Sequence, residues 1–234
     1  MKDVDNAPPK RRGRIVRAHP RPHRAGTGEL DAVRPPVLII EGSRVVAKHL
    51  KRQIVADLDM PVNLAHSRDE ALEQIQTLDP APIAAVLDLD LPNDPEEEVL
   101  EALQAAKLPI IALTGSCDAE SRVRILERDF VDYYLKEVQG TNGVIEMLRR
   151  LEKNPTTRIL VVDDSRTFRM LVRQLLEVHR FDILEAGDGQ EALEVLEANP
   201  DVSLVLTDFE MPRVDGLELV SRLRSMHNRG VVAT

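Results

Sequence analysis

The sequence predicts an α/β protein that consists of two tandem units, each built on a parallel β-sheet. Short runs of Val, Ile and Leu alternate with helical patterns, which is typical of repeated βα units. A pattern of acidic and hydroxyl residues also repeats, since 26 residues separate Asp88 from Thr114 and 26 again separate Asp208 from Thr234. In a chain of 234 residues, such a repeat favours two domains of ordinary size.

Composition excludes several classes of protein. No apolar run approaches the ~20 residues that a membrane-spanning helix needs, and the N-terminus has no apolar signal region. A single cysteine, Cys117, rules out an intramolecular disulfide and favours a reducing cytoplasmic location. The six histidines show no metal-ligand spacing, and no nucleophilic triad or Gly-rich phosphate loop is present. These features disfavour an enzyme.

The first 36 residues differ in charge from the rest of the chain. Residues 1–36 carry a net charge of +5, whereas residues 37–234 carry −14. The segment is rich in proline and lacks hydrophobic periodicity, so we predict that 1–36 is a disordered basic tail. Its cluster from Lys10 to Arg14 could meet nucleic acid, anionic lipid or the acidic part of its own chain. No aromatic residue is interleaved to stack on bases, which disfavours nucleic acid.

The predicted first domain covers 37–153 and alternates strands with helices. Each strand is a short apolar run and each helix has apolar residues at helical spacing. The predicted strands are 37–40, 61–65, 83–87, 109–113 and 131–135, and the predicted helices are 44–57, 67–78, 95–106, 118–129 and 143–153.

A linker at 154–157 leads to the second domain, 158–234, which repeats this order. The predicted strands are 159–162, 181–185, 202–207 and 230–233, and the predicted helices are 166–178, 189–198 and 215–226. In the first of these helices we predict that Phe168, Leu171, Val172, Leu175 and Leu176 form a core-facing stripe. The pattern stops after the fourth strand, so we expect an incomplete unit with one exposed helix face.

Carboxylates follow two strands of the second domain. Asp163 and Asp164 end its first strand, and Asp208 ends its third. Right-handed crossovers and the flavodoxin-like strand order 2-1-3-4-5 would make these strands neighbours, so the three carboxylates would converge at one sheet edge. Their repulsion would be relieved by a hard divalent cation with oxygen ligands, which points to Mg²⁺. The alternative interpretation is three unrelated surface acids.

These residues match a known family. Residues 158–234 resemble the receiver domain of two-component response regulators, through the run from Ile159 to Arg166, the run from Leu206 to Pro212, Asp215-Gly216, and the run from Val231 to Thr234. The resemblance implies that Asp208 is the phosphoacceptor and Thr234 the switch hydroxyl. It also implies that Asp163, Asp164, Asp208 and the main-chain carbonyl of Glu210 hold Mg²⁺.

The first domain resembles a degenerate receiver. Asp88 matches the acceptor, Thr114 the switch hydroxyl, Tyr133 the aromatic switch position and Lys136 the family lysine. Glu41 stands in place of the first pocket acid. Gly42 stands in place of the second acid and has no carboxylate to give. This departure favours a pseudo-receiver with a structural role.

The resemblance leaves two functions open. One is the input module of a phosphorelay, with a histidine kinase or phosphotransfer protein as partner and an output domain, such as a diguanylate cyclase, downstream. The other is a phosphorylation-independent module for protein interaction or homodimerisation. The interrupted second unit leads us to expect that the chain is a fragment of a longer regulator.

Overall fold

The computed structural model describes residues 14–17, 34–91, 94, 97–115, 130–136, 138–226 and 232–233. Two compact units divide the chain. One comprises 24–156 together with 175–181, and the other comprises 1–23, 157–174 and 182–234. We call them the first and second unit, and each contains one five-stranded sheet.

The sheet of the first unit is parallel throughout and has the predicted order. Its strands are β2 (Val37–Ile40), β3 (Val62–Ala65), β4 (Ala84–Asp88), β5 (Ile110–Thr114) and β6 (Asp132–Leu135). They lie side by side in the order β3-β2-β4-β5-β6. The register pairs Ile40 with Leu87 and Asp88 with Leu113, so the carboxyl ends of β2, β4 and β5 meet at one edge.

Four described helices belong to the first unit. They are α1 (Arg44–Leu58), α2 (Arg68–Thr77), α3 (Glu98–Ala105) and α4 (Val138–Lys153). Helix α3 begins three residues later than predicted, after Glu97. Both oxygens of Asp94 accept backbone N–H groups of its first turn, from Glu98 at 2.9 Å and Val99 at 3.3 Å. The helix predicted at 118–129 lies outside the described residues.

Helix α4 begins five residues before the predicted start at residue 143. Two glycines, which usually mark loops, lie inside it because the helix passes close to β6. A side chain at Gly140 would reach within 1.7 Å of the Leu135 carbonyl oxygen, and one at Gly143 within 2.2 Å of the Tyr134 ring. Glycine is therefore required by close approach rather than by a turn.

The core of the first unit lies on both faces of its sheet. Along β2, Val37 and Ile39 pack on one side with α1 and α4, while Leu38 and Ile40 pack on the other with α2 and α3. This alternation follows the period of two of a strand. Both faces are covered, as expected for a parallel sheet, and the covered sheet holds the loops at its carboxyl edge in fixed positions.

The second unit reproduces the first three strands of this plan. Strands β7 (Arg158–Val162), β8 (Asp182–Ala186) and β9 (Val202–Thr207) are parallel, with β7 in the middle. The helices are α5 (Arg166–Glu177), α6 (Gly189–Ala198) and α7 (Gly216–Met226). Leu219 and Leu223 of α7 and Ala192 of α6 pack on Leu160 and Val205 of the sheet.

The structure corrects two predictions at the edge of the second sheet. Strand β1 (Arg14–Arg17) lies within the tail predicted to be disordered, so that prediction is wrong for these four residues. It pairs antiparallel with β9, and β10 (Val232–Ala233) pairs antiparallel with β1, giving the order β10-β1-β9-β7-β8. The predicted fourth strand therefore does not border the third. An open edge offers unpaired backbone groups, which β1 satisfies.

Helix α5 is not packed as the sequence predicted. Phe168 and Leu171 are each 51% exposed and Leu175 is 62% exposed, and no residue of α5 is buried. The prediction that this stripe belongs to the core is wrong, whereas the expected exposed helix face is confirmed. The equivalent helix α1 buries Leu50 and Ile54 in a cluster shared with α4. No helix described for the second unit covers α5 in this way.

None of the helices that the structure describes has the length and apolar character that a membrane span requires.

We predict a large difference between two leucine truncations in the second unit. Leu219→Ala removes a fully buried side chain and should lower the free energy of unfolding by about 2–5 kcal/mol. Leu171→Ala, on the exposed face of α5, should lower it by less than about 1 kcal/mol. Urea denaturation followed by far-ultraviolet circular dichroism measures both. Equal losses would show that α5 is buried in solution.

Candidate functional site

Three carboxylates meet at the carboxyl edge of the second sheet. Asp163 and Asp164 follow β7, and Asp208 follows β9. The Asp208 amide donates to the Val162 carbonyl at 2.9 Å, which aligns the two strand ends. One carboxylate oxygen from each residue lies within 4.8 Å of the others. The structure thus brings together three of the predicted site residues, and the strand order predicted from sequence is the reason.

Electrostatic repulsion is built into this cluster. Asp163 is buried, whereas Asp208 is half-buried and Asp164 exposed. Burial raises the pKa of Asp163, and the nearby charges of Asp208 and Asp164 raise it further. A backbone hydrogen bond from the Ser165 amide, at 2.8 Å, and the charge of Arg169 act in the opposite direction. Ionised Asp163 therefore destabilises the folded state, because its charge is buried beside two other carboxylates.

This arrangement fits a hard divalent cation. Mg²⁺ takes oxygen ligands and commonly binds through one or two carboxylates plus water and a phosphate oxygen. Three carboxylate oxygens that lie within 4.8 Å of one another match that preference. A carboxylate beside such a cation can act as a nucleophile toward phosphorus. The site therefore has the chemical groups needed for metal-assisted phosphoryl transfer.

The segment after β9 holds the Asp208 side chain. Its carboxylate accepts the Phe209 amide at 2.7 Å, and its carbonyl oxygen accepts the Thr207 hydroxyl at 2.9 Å. A side chain at Gly216 would reach within 2.1 Å of that carbonyl oxygen, so only glycine fits there. Glu210, whose carbonyl was predicted to bind metal, is exposed in a surface depression beside the acids, which is lined by Asp164, Phe209, Glu210, Met211, Pro212 and Asp215.

The sequence analysis did not identify two residues that lie near this site. Asp188 is 3% exposed, caps α6 by accepting the amides of Gln190 and Glu191, and forms an ion pair with Arg213. This pair ties the segment after β9 to the start of α6. Arg169 of α5 donates to the Asp163 carbonyl at 2.6 Å. The Asp188-Gly189 pair before a helical pattern could have indicated the cap, whereas no sequence signal marks Arg169.

Two further expectations concern the second unit. Thr234, the predicted switch hydroxyl, lies outside the described residues. Residues 158–234 contain no lysine, so a counterpart of Lys136 is absent from this stretch of sequence.

The first unit holds a different set of charges at the equivalent edge. Glu41 follows β2, Asp88 ends β4 and Lys136 follows β6. The Lys136 ammonium lies 2.6 Å from an Asp88 oxygen and 3.1 Å from a Glu41 oxygen. Glu41 is 1% and Asp88 4% exposed, so both carboxylates are buried against one cation. The predicted first-site residues Glu41, Asp88 and Lys136 are therefore brought together.

Burial and neighbouring charges shift the pKa of Glu41 and of Lys136. Burial raises the pKa of Glu41, and the charge of Asp88 adds to this effect, while the Ser43 amide and Lys136 oppose it. For Lys136, burial alone would lower the pKa, but the hydrogen bond and charge of Asp88, followed by those of Glu41, raise it overall. The lysine is thus held in its charged form between two carboxylates.

Two other predicted positions flank this cluster. Thr114 is 1% exposed at the end of β5, and its carbonyl accepts the Lys136 amide at 2.9 Å. Tyr133, at the aromatic position, is 41% exposed on the edge strand β6. Gly42 supplies no acid, so two carboxylates and one ammonium group stand where the second unit has three carboxylates.

Comparison with known proteins finds one family twice along the chain. The family described as the response regulator receiver domain matches residues 37–149 and again 159–233. Over 69 residues the chain is 45% identical to chemotaxis protein CheY1 of Helicobacter pylori (strain ATCC 700392 / 26695), covering 29% of this chain and 56% of that protein. It is 37% identical over 75 residues to transcriptional regulatory protein CpxR of Escherichia coli (strain K12), or 32% of each chain. The chain thus spans about half the length of the chemotaxis relatives it matches.

Two solved structures are similar over most of the chain. A crystal structure of a putative two-component system response regulator/GGDEF domain protein has a TM-score of 0.72 at 29% identity, covering 83% of this chain and 78% of that one. The structure of a probable protein of the same description has a TM-score of 0.71 at 30% identity, with the same coverage. An alignment over 83% of the chain includes parts of both units.

We predict opposite effects from two neutralising substitutions in the second unit. Asp163→Asn should stabilise the metal-free protein at pH 7, because it removes a buried charge that two other carboxylates repel. The gain should shrink as the pH falls, since a raised pKa means that Asp163 takes up a proton early and the penalty disappears. Asp188→Asn should cost about 1–3 kcal/mol, because it removes the charged partner of Arg213.

Urea denaturation with a metal chelator present, repeated across the acidic pH range, measures both effects. If Asp163→Asn destabilises the protein at pH 7 as much as Asp188→Asn does, the carboxylates do not repel one another as described.

Proposed function

Because the chain belongs to the response regulator receiver domain family and carries two tandem receivers, we propose that it is a phosphorelay input module in which Asp208 accepts a phosphoryl group. The observation that carries this proposal is the cluster of Asp163, Asp164 and Asp208. The donor is the phosphohistidine of a histidine kinase or phosphotransfer protein. The residues that the structure describes include no catalytic output domain.

Four groups would hold Mg²⁺ in this site. These are the carboxylates of Asp163, Asp164 and Asp208 and the main-chain carbonyl of Glu210. When bound, the ion neutralises the carboxylates and the oxygens of the incoming phosphoryl group. One Asp208 oxygen accepts the Phe209 amide, which fixes the carboxylate and leaves its other oxygen for attack.

The transfer step is a displacement at phosphorus. An Asp208 oxygen attacks phosphorus while the phosphorus–nitrogen bond of the phosphohistidine breaks. The imidazole leaves with the electron pair and takes up a proton, and the product is an aspartyl phosphate. A hydroxyl at Thr234 would donate to a phosphoryl oxygen of the product. Lys136 supplies an ammonium to the acids of the first unit, whereas residues 158–234 contain no lysine.

The phosphorylated state would act on an output domain or partner. Both similar solved structures belong to proteins described as response regulator/GGDEF domain proteins. On this basis we propose a nucleotide-cyclase type of output in the same polypeptide or in a partner. Cytoplasmic location follows from the proposed kinase partner.

The buried charged side chains of the first unit favour a second function for that unit. Lys136 already neutralises Asp88 and Glu41, and Gly42 removes a metal ligand. We propose that this unit acts without phosphorylation, as an interaction or homodimerisation module. Only the second unit would then accept a phosphoryl group, and the first would serve in protein interaction.

We predict that acetyl phosphate with Mg²⁺ labels Asp208. Asp208→Asn should reduce labelling to background, because an amide is a poor nucleophile and removes a metal ligand. Asp88→Asn is the matched control and should leave labelling unchanged. Intact-protein mass spectrometry detects the added phosphoryl group. Labelling that survives Asp208→Asn and disappears in Asp88→Asn would place the acceptor in the first unit.

We also predict a single Mg²⁺ site in the 234-residue chain. The double variant Asp163→Asn/Asp164→Asn should abolish binding, since two of three carboxylate ligands are lost. The matched variant Glu41→Gln/Asp88→Asn should keep it, because Lys136 rather than a metal neutralises those acids. Isothermal titration calorimetry counts the sites. Loss of binding in the second variant alone would contradict the assignment.

A further inference from the structure

The two sheets differ in the strand that borders the acceptor strand. In the first unit β5 lies directly beside β4, parallel to it, with Asp88 opposite Leu113. In the second unit the equivalent position beside β9 is taken by β1, the segment Arg14–Arg17, in antiparallel orientation. The strand that leads to Thr234, β10, pairs with β1 instead.

The register places β1 next to the acid cluster. Arg14 is opposite Thr207, the residue before Asp208, and Arg17 is opposite Leu204. The segment therefore covers the backbone of β9 up to the point where the acceptor begins. Its central residues, Ile15 and Val16, are β-branched and favour extended structure. Basic residues flank them, and residues 37–234 carry a net charge of −14, so the segment is complementary in charge to the rest of the chain.

We propose that the edge of β9 is a strand-accepting surface, and that Arg14–Arg17 occupies it as an inhibitory strand. With β1 in place, β10 lies two strand spacings from β9, roughly 9–10 Å, rather than the single spacing that β5 keeps from β4. A hydroxyl must come within hydrogen-bond distance of a phosphoryl oxygen to stabilise it. The inserted strand thus separates the fourth strand from the acceptor.

This inference rests on the proposed role of Asp208 as the phosphoacceptor. It adds that two strands, β1 and β10, compete for the edge of β9. The N-terminal segment and the fourth strand cannot both pair with the same edge of β9. When β1 leaves, β10 is free to take the position beside β9 that β5 takes beside β4. Release of the tail would therefore favour the phosphorylated form, and occupancy by the tail would oppose it.

Register-specific disulfide trapping tests the contact. Ile15 and Leu206 are directly opposite, and such pairs lie about 4.5–5.5 Å apart between Cα atoms, within the range for a disulfide. The chain Cys117→Ser/Ile15→Cys/Leu206→Cys should therefore close on mild oxidation. The control Cys117→Ser/Ile15→Cys/Leu204→Cys shifts the register by two residues, to about 7–8 Å, and should close poorly.

Labelling of Asp208 by acetyl phosphate and Mg²⁺ is then compared in the oxidised and reduced forms. We expect the closed in-register chain to label at least about tenfold more slowly than the same chain after reduction, and the control chain to be insensitive to reductant. A ratio of ten corresponds to about 1.4 kcal/mol.

Three results would overturn the proposal. Equal closure of the two cysteine pairs would show that β1 does not occupy β9 in this register. Equal, measurable labelling of the closed and reduced forms would show that the strand does not inhibit, while leaving Asp208 as the acceptor. Absence of labelling in both forms would remove the proposed function itself, and inhibition with it.

Discussion

At the carboxyl edge of each sheet, several carboxylates lie close together, and their negative charge has to be offset. This constraint determines which side chains each unit needs at that edge. Parallel strands that end together bring their terminal carboxylates together, and buried carboxylates need a positive partner. In the first unit that partner is Lys136, which reaches two buried acids from the far edge strand. The second unit presents three acids, and residues 158–234 contain no lysine. The same fold thus carries one site in which a lysine neutralises two buried acids and one site in which three carboxylates converge.

Packing explains why this edge is held firmly in the first unit. The sheet is covered on both faces, and α4 approaches β6 so closely that glycine is required at two positions. Strand β6 carries Tyr133 and leads to Lys136, so this close packing also fixes the lysine. The second unit secures its acceptor differently. Gly216 lies against the Asp208 carbonyl, and the ion pair between Asp188 and Arg213 joins the following segment to α6.

The sequence was sufficient to predict the tandem repeat and the strand orders β3-β2-β4-β5-β6 and β9-β7-β8. It also predicted the acids that meet in the second unit and the Lys136 site of the first unit. These depend on local apolar patterns and on strand order, which follow general rules. It was insufficient where tertiary packing decides. Gly140 and Gly143 resemble loop residues until β6 is placed beside them, and the apolar stripe of α5 resembles a core face although no described helix covers it. Arg14–Arg17 pairs with β9, which lies nearly two hundred positions later in the sequence, and no local sequence pattern predicts this pairing.

The position of the Lys136 ammonium has a consequence for how the first site could change over evolution. Introducing an acid at Gly42 would place a third carboxylate beside a site whose cation position is already filled by Lys136. Removing Lys136 first would leave Glu41 and Asp88 buried and unpaired, which is costly. Either single substitution is therefore unfavourable, although the two together would resemble the second site. The two sites of one chain therefore differ by substitutions that depend on each other, and neither site can be converted into the other by one change alone.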